Sequence, residues 1–179
     1  MSLEAITKQL KSLNQSIPPV ELWDPPYCGE MDIVIKANGD WFYNGSIISR
    51  LRLVKLFASV IKKEEEDYFL VTPVEKIKIK VEDKPFVITN WQWLEDLSPA
   101  TIKLTTNLGD SILLCDEHPL ECDSEGNLSV KIRRNLFASV HRNVFYQWVD
   151  IAKEESRDQQ KQLILTSAGQ DFIIGRYSD

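Results

Sequence analysis

Several features are scarce in this sequence, and each scarcity removes a class of protein. The longest apolar run without charge is about the ten residues from Pro85 to Leu94, far short of the ~20 that a membrane-spanning helix needs. The first residues lack the basic, apolar, small-residue order of a secretory signal. Cysteine occurs three times, never as C-x-x-C, so zinc and thioredoxin-like chemistry lack their spacing. Together these absences predict a cytoplasmic chain in a reducing compartment, with no membrane partner. Glycine is also sparse, at seven residues. There is no P-loop, no G-x-G-x-x-G after a strand and no G-x-S-x-G elbow, which argues against a conventional NTPase, kinase, dehydrogenase or serine hydrolase. Positive charge is the minority: Lys plus Arg number 21 against 27 Asp plus Glu, a net charge of −6. Polymeric DNA or RNA is a poor partner for such a chain.

What is present is the composition of a globular protein, 43% hydrophobic and 27% charged over 179 residues. Leu3, Ile6, Leu10 and Leu13 fall at helical spacing and predict a short amphipathic helix over Ser2–Leu13. A proline-bearing arm follows, from Asn14 to Gly29. Two Asn-Gly pairs, at Asn38-Gly39 and Asn44-Gly45, predict three short antiparallel strands, because both residues of that turn tolerate positive φ. Ser49 is the expected cap of a helix over Arg50–Lys63, whose stripe is Leu53, Val54, Phe57, Val60 and Ile61. Lys62 and Lys63 would then suit the negative end of its dipole.

Strands are predicted at Tyr68–Thr72, Lys76–Val81 and Phe86–Trp93, then in hairpins over Thr101–Cys115 and Leu120–Ile132. A helix through Leu136, Phe137 and Val140 and a second through Val144–Ala152 come next. A polar loop over Lys153–Gln162 and a hairpin of Leu163–Thr166 with Phe172–Gly175 close the chain. Strands dominate, and helices follow hairpins instead of alternating with single strands. The expected class is α+β with antiparallel sheets. The pentapeptide Leu-Phe-Ala-Ser-Val occurs twice, at Leu56–Val60 and Leu136–Val140. Each copy sits on the stripe of a predicted helix after a strand pair, so the chain reads as an internal duplication, with a ligand pocket expected where two such halves meet.

Four features bear on chemistry. Asp116-Glu117-His118-Pro119 has metal-binding letters, but adjacent side chains diverge and a polar loop predicts the same letters. His141, beside Arg142, suits the end of a helix, where its ring meets free carbonyls. Lys76, Lys78 and Lys80 share one face of a strand, the pattern of a wet sheet face or of a row contacting phosphates. Trp91 and Trp93 share a face, with core burial the leading expectation. Cys115, after Ile112, Leu113 and Leu114, is expected to be a buried thiol. Cys28 falls in a turn and Cys122 in an acidic strand. From Glu95 to Glu125 eight acids stand against Lys103 alone, whereas Lys131, Arg133, Arg134 and Arg142 follow without an acid.

One ordered set of segments resembles a known family. Trp23-Asp24-Pro25-Pro26-Tyr27-Cys28-Gly29, Asp40-Trp41-Phe42-Tyr43-Asn44-Gly45-Ser46, Arg50, the first Leu-Phe-Ala-Ser-Val and Leu70-Val71-Thr72-Pro73-Val74-Glu75-Lys76 occur in sequence. Asp83-Lys84-Pro85-Phe86, Thr106-Asn107 with Gly109-Asp110, and His118-Pro119-Leu120 complete the set. It is similar to the bacterial domain of unknown function 1285 over nearly all the chain after residue 16. Ile47 departs from it, proline being common there, which alters a turn and no chemistry. The resemblance implies a duplicated α+β fold whose C-terminal half is loosely like a pleckstrin-homology domain. It also implies a ligand site between the halves suited to a nucleotide-like molecule, and a link to signalling. It supplies no catalytic residue.

The expectation is therefore an N-terminal helix and arm (1–16), an N-terminal α+β repeat (17–88) and a C-terminal pleckstrin-homology-like repeat (89–179). The function expected is a non-enzymatic ligand-binding module without a cofactor. Arg50, Lys76 and Arg142 would meet anionic oxygens, Asn107 and Asp110 polar edges, and Tyr43 or Tyr146 a stacked ring, with His118 among the ligand-binding residues. Two alternatives stand beside it. One is a metal-assisted hydrolase centred on Asp110, Asp116 and His118. The other is a protein-interaction module that reads its partner through an exposed sheet edge or groove, with no small ligand.

Overall fold

A computed structural model describes residues 3–11, 17–157 and 160–177. The chain divides into two compact units, Met1–Pro85 and Phe86–Asp179. The N-terminal unit opens with helix α1 (Leu3–Lys11), where Ile6 and Leu10, one turn apart, are buried. Leu13, the last residue of the predicted stripe, lies outside the described residues. The arm contains a 3-10 turn at Val20–Leu22 that buries Val20. Strands β1 (Tyr27–Ile35), β2 (Trp41–Tyr43) and β3 (Ser46–Ile47) form a meander. Cys28 is therefore in a strand, not a turn. Both Asn-Gly turns sit where predicted, with Gly39 at φ +88°, Asn44 at φ 48° and Gly45 at φ +75°.

Helix α2 spans Leu51–Ser59, and strands β4 (Ile61–Glu64), β5 (Asp67–Val71) and β6 (Lys76–Val81) make a second meander. Two expectations are corrected here. Arg50, not Ser49, occupies the cap position, and no side chain caps the helix. The helix also stops before Val60, because Ile61–Glu64 pair with Leu70–Asp67 as a strand. Lys62 and Lys63 thus face a hairpin, not a helix terminus.

The C-terminal unit contains β7 (Phe86–Leu94), β8 (Thr101–Thr106), β9 (Ser111–Leu113), β10 (Leu120–Cys122), β11 (Leu128–Arg133) and β12 (Leu136–Val140). Helix α3 (Arg142–Ile151) and a three-stranded sheet of β13 (Lys153–Arg157), β14 (Gln160–Ser167) and β15 (Gln170–Tyr177) complete it. Leu136–Val140 is therefore a strand and not a helix. Its burial alternates, with Leu136 and Ala138 buried and Phe137 and Ser139 half-buried, the period of a pleat. The predicted polar loop at Lys153–Gln162 is likewise mostly strand.

The two six-stranded sheets have the same order, β3-β2-β1-β6-β5-β4 and β9-β8-β7-β12-β11-β10. In each, a central strand begins a three-stranded meander outward, a link follows, and a second meander returns to pair with that central strand. The returning pair is parallel, β1 with β6 and β7 with β12, whereas every other pair in these sheets is antiparallel. The halves are thus similar domains, mostly sheet with few helices. The repeated pentapeptide does not mark equivalent places in them: one copy lies in α2, in the link, and the other is β12, the counterpart of β6.

Candidate functional site

Two cavities form at the same topological place, the link between the meanders. In the N-terminal unit that link is residues 48–60 and carries α2. The first turn of α2 contains no acid and receives no side-chain cap, so its free N–H groups and positive dipole end stay open to an anion. Glu4, Thr7 and Lys8 fall at i, i+3 and i+4 on α1 and, with Arg50, Arg52, Leu53 and Leu56, line a groove of about 700 Å³. That volume lies within the range of small-ligand sites. Lys8, Arg50 and Arg52 are exposed, and none forms an ion pair with a described residue. Three cations without an ion pair to a described residue border a groove whose apolar lining is Leu53 and Leu56.

In the C-terminal unit the link is only residues 114–119. Cys115 and His118 form an isolated bridge, with the His118 N–H donating to the Cys115 carbonyl at 3.0 Å. This turn borders an open cavity of about 290 Å³ lined by Lys103, Ser111, Ile112, Leu113, Cys115, Glu117 and His118, of which Ser111, Leu113 and Glu117 are exposed. The His118 Nδ1 lies 3.0 Å from the Lys131 carbonyl oxygen. A carbonyl only accepts, so Nδ1 carries the proton and, in the neutral ring, Nε2 is an acceptor. Cys115 is half-buried, where a buried thiol was expected.

The remaining sequence candidates are placed apart from these cavities. Lys76 is bound to Glu64 at 2.8 Å and lies over the Phe69 ring at 5.1 Å. That hydrogen bond holds the Glu64 carboxyl below its ordinary value. Lys78 pairs with Asp67 at 2.8 Å, so two of the three lysines in the row are neutralised by carboxylates on β4 and β5. Asn107 accepts from the Val87 N–H through Oδ1 at 3.0 Å, which holds the β8–β9 turn to β7. Asp110 faces Arg133 at 3.5 Å. Arg133 stacks on Phe86, 4.8 Å from the ring centre, and burial pulls its pKa down. Tyr43 lies in β2, and Arg142 and Tyr146 lie exposed on α3. Of the eight candidates, Arg50 lines the first groove and His118 the second cavity.

The metal-centred alternative finds no support in this arrangement: among the described residues no three His, Cys, Asp or Glu side chains are grouped to hold an ion. His141 starts a helix instead of ending one, its Nδ1 accepting from the Asn143 N–H at 3.2 Å. Trp91 and Trp93 are not core. They form an edge-to-face pair 6.2 Å apart on the sheet surface, with Trp91 Nε1 donating to Gln147 Oε1 at 2.8 Å. They sit on an open strand edge, because β12 covers only Phe86–Ile88 of β7. Opposite Trp93, Ile102 turns its N–H to Ser167 Oγ and its carbonyl to the Leu114 N–H. The backbone N–H and C=O of Trp93 accordingly point away from β8. No helix among the described residues is long and apolar enough to cross a membrane.

Lys8, Arg52, Lys103 and Cys115 are cavity-lining residues that the sequence reading did not single out as site residues, and Glu117 was named only within the Asp116–Pro119 cluster. For Arg52 a signal existed: Trp41–Lys63 holds five cations and no acid. Lys8 carried none, and Lys103 stood out only as the lone cation among eight acids from Glu95 to Glu125; packing and strand register bring the two to their cavities.

The comparisons with known proteins agree with the duplicated architecture. Residues 18–84 match the N-terminal domain of a family described as a domain of unknown function, DUF1285, and residues 85–174 match its C-terminal domain. A crystal structure of a DUF1285 family protein from Silicibacter pomeroyi DSS-3 is 33% identical, with a TM-score of 0.79 over 94% of this chain and 93% of that one. A second, from Shewanella baltica OS155, is 26% identical, with a TM-score of 0.55 over 67% of this chain and 91% of that one. None of the curated proteins matches the chain. With both family domains matched in order across most of its length, the chain belongs to the DUF1285 family.

Proposed function

We propose that this protein is a non-enzymatic binding module for a small anionic ligand of nucleotide type, held in the groove between α1 and α2. The observation that carries the reading is the set of three cations, Lys8, Arg50 and Arg52, around one groove with no ion pair to a described residue. Like charges on α1 and at the start of α2 repel each other, and an anion between them relieves that repulsion. Phosphate oxygens suit the guanidinium groups and the open first turn of α2. Leu53 and Leu56 offer apolar surface to a ring, and Glu4 accepts from an amino group. Of the residues first assigned, Arg50 keeps its role. Lys8 and Arg52 take the place of Lys76, which Glu64 occupies. The proposal places the anion wholly inside the N-terminal unit.

Thermal denaturation against a panel of nucleotides and inorganic phosphate tests it. A ligand at about 100 times its dissociation constant adds ~2.7 kcal/mol, a shift of roughly 5–10 °C for a chain of this size. Arg52→Ala and Lys8→Ala should each weaken binding about tenfold, the loss of one charge-assisted contact, and leave the unliganded melting point within about 1 °C. No shift from any nucleotide or from phosphate overturns the anion reading.

A second reading is favoured by the open edge of β7. A strand edge that carries Trp91 and Trp93 and turns the Trp93 N–H and C=O outward suits an extended peptide added as a strand. Such binding would survive Arg52→Ala. It would be lost on Trp93→Pro, which removes an outward N–H and leaves the bonds to β8 intact.

A further inference from the structure

The small cavity at the Cys115–His118 turn is independent of the anion groove and differs from it in chemistry. Lys103 and Glu117 carry opposite charges and line the same cavity, yet no ion pair joins them, and neither pairs with another described residue. Register places Lys103 directly opposite Leu113, with Ser111 two residues along on the same face. An ammonium and a hydroxyl donor thus stand on the sheet side. The Glu117 carboxylate and the bare Nε2 of His118, both acceptors, stand on the turn side. Leu113 supplies the apolar side chain on that face. At about 290 Å³ the space is at the lower limit for a ligand site and holds a molecule of a few heavy atoms, not a nucleotide.

We infer that this cavity binds a small zwitterion of the free α-amino-acid class. Its carboxylate meets Lys103 Nζ and the Ser111 hydroxyl, and its ammonium donates to Glu117 and His118 Nε2. A short aliphatic side chain lies against Leu113. The separated charges are the central point: a ligand bearing one charge leaves the other wall unpaired, whereas a zwitterion satisfies both. The hydrogen bond from His118 Nδ1 to Lys131 matters for the same reason, since it fixes the tautomer that presents an acceptor to the ammonium. The duplication places both cavities at the link between meanders. A helix with three cations at its border makes one site anionic-selective, and a six-residue turn makes the other small and dipolar.

The test follows the ring resonances of the two histidines by NMR while glycine, alanine or leucine is added to the full chain. Leucine or alanine should shift the His118 signals and leave those of His141 unchanged. N-acetyl-leucine, which lacks the ammonium, and leucinamide, which lacks the carboxylate, should each bind at least about tenfold more weakly. Lys103→Met and Glu117→Gln should each weaken leucine by a similar factor, and Arg52→Ala should not change it. The wild-type ligand series is decisive even if a variant folds poorly. No movement of the His118 signals with any amino acid at millimolar concentration overturns the proposal. N-acetyl-leucine binding as well as leucine overturns it too.

Discussion

The same five residues, Leu-Phe-Ala-Ser-Val, form the last turn of a helix and its C-terminal cap at Leu56–Val60 and a central strand at Leu136–Val140. In the helix, Val54, Phe57 and Ala58 are buried, at i, i+3 and i+4. In the strand, Leu136 and Ala138 are buried and the residues between them are not. Phe57 is fully buried and stacks on Trp41 at 6.4 Å, whereas Phe137 is half-buried on the pleat. What precedes each copy decides between them. Arg50–Lys55 already carries a helical stripe, which the first copy continues. Arg134, at φ 53°, closes the hairpin from β11 and sends the second copy back antiparallel to it. Five residues set neither period by themselves; the element they extend does.

Replacing the same letter in each copy gives the largest effect. Phe57→Ala opens a cavity between α2 and Trp41 and should cost about 3–5 kcal/mol. Phe137→Ala removes a side chain that water already reaches in part and should cost about 1–2 kcal/mol. Urea denaturation of the two variants measures the difference. Equal losses would mean that the strand copy packs as tightly as the helix copy, and the contrast would fail.

The parts of the fold that were legible in the sequence are those set by neighbours along the chain. Asn38-Gly39 and Asn44-Gly45 require positive φ and so mark turns, and the stripe of Leu53, Val54 and Phe57 marks one face of a helix. The parallel pairs were not legible. Tyr27 meets Lys76, and Phe86 meets Ala138, across long separations that leave no local pattern. Lys153–Arg157 read as a loop because charged residues flank a strand whose outer edge is in water, where polarity carries no period. The sites divide in the same way. Arg50 stands out as a cation at a helix start. Lys8 reaches the groove because Ile6 and Leu10 seat α1, and Lys103 reaches its cavity through register with Leu113. These are tertiary facts, and one-dimensional spacing does not encode them.

The ends of the two copies sharpen the comparison by a smaller amount. The strand copy ends where His141 accepts the Asn143 N–H and α3 begins. Helix α2, which carries the other copy, begins by contrast with no side-chain cap. His141→Ala should therefore cost about 1 kcal/mol, and His141→Asn, which restores a good cap, much less. Putting a capping side chain at the other helix, by Arg50→Asp, should stabilise the unliganded chain by about 0.5–1 kcal/mol and weaken nucleotide binding. Thermal melts with and without nucleotide read both. A capping gain without loss of binding would show that the open turn of α2 has no part in holding the ligand.

The smallest effect concerns why the helix copy stops where it does. Directly after Val60 the chain becomes β4, and Lys76 on β6 reaches across β5 to hold Glu64 at its far end. Because that bond lowers the folded pKa of Glu64 below its ordinary 4.5, the stability it gives is complete above the unfolded value. It is lost as pH falls through the lower folded one. The pair is partly exposed, so Lys76→Met should cost only about 0.2–1 kcal/mol at neutral pH, less in high salt. The cost should shrink towards zero in acid, where Glu64 is protonated in both proteins. Lys80→Met, at an exposed lysine on the same strand, should show no such pH dependence. Nucleotide affinity should be the same in Lys76→Met as in the parent chain, because a cation already held by Glu64 has little left to offer a phosphate. Weaker nucleotide binding in that variant would return Lys76 to the ligand site and separate it from the purely structural role that its bond to Glu64 describes.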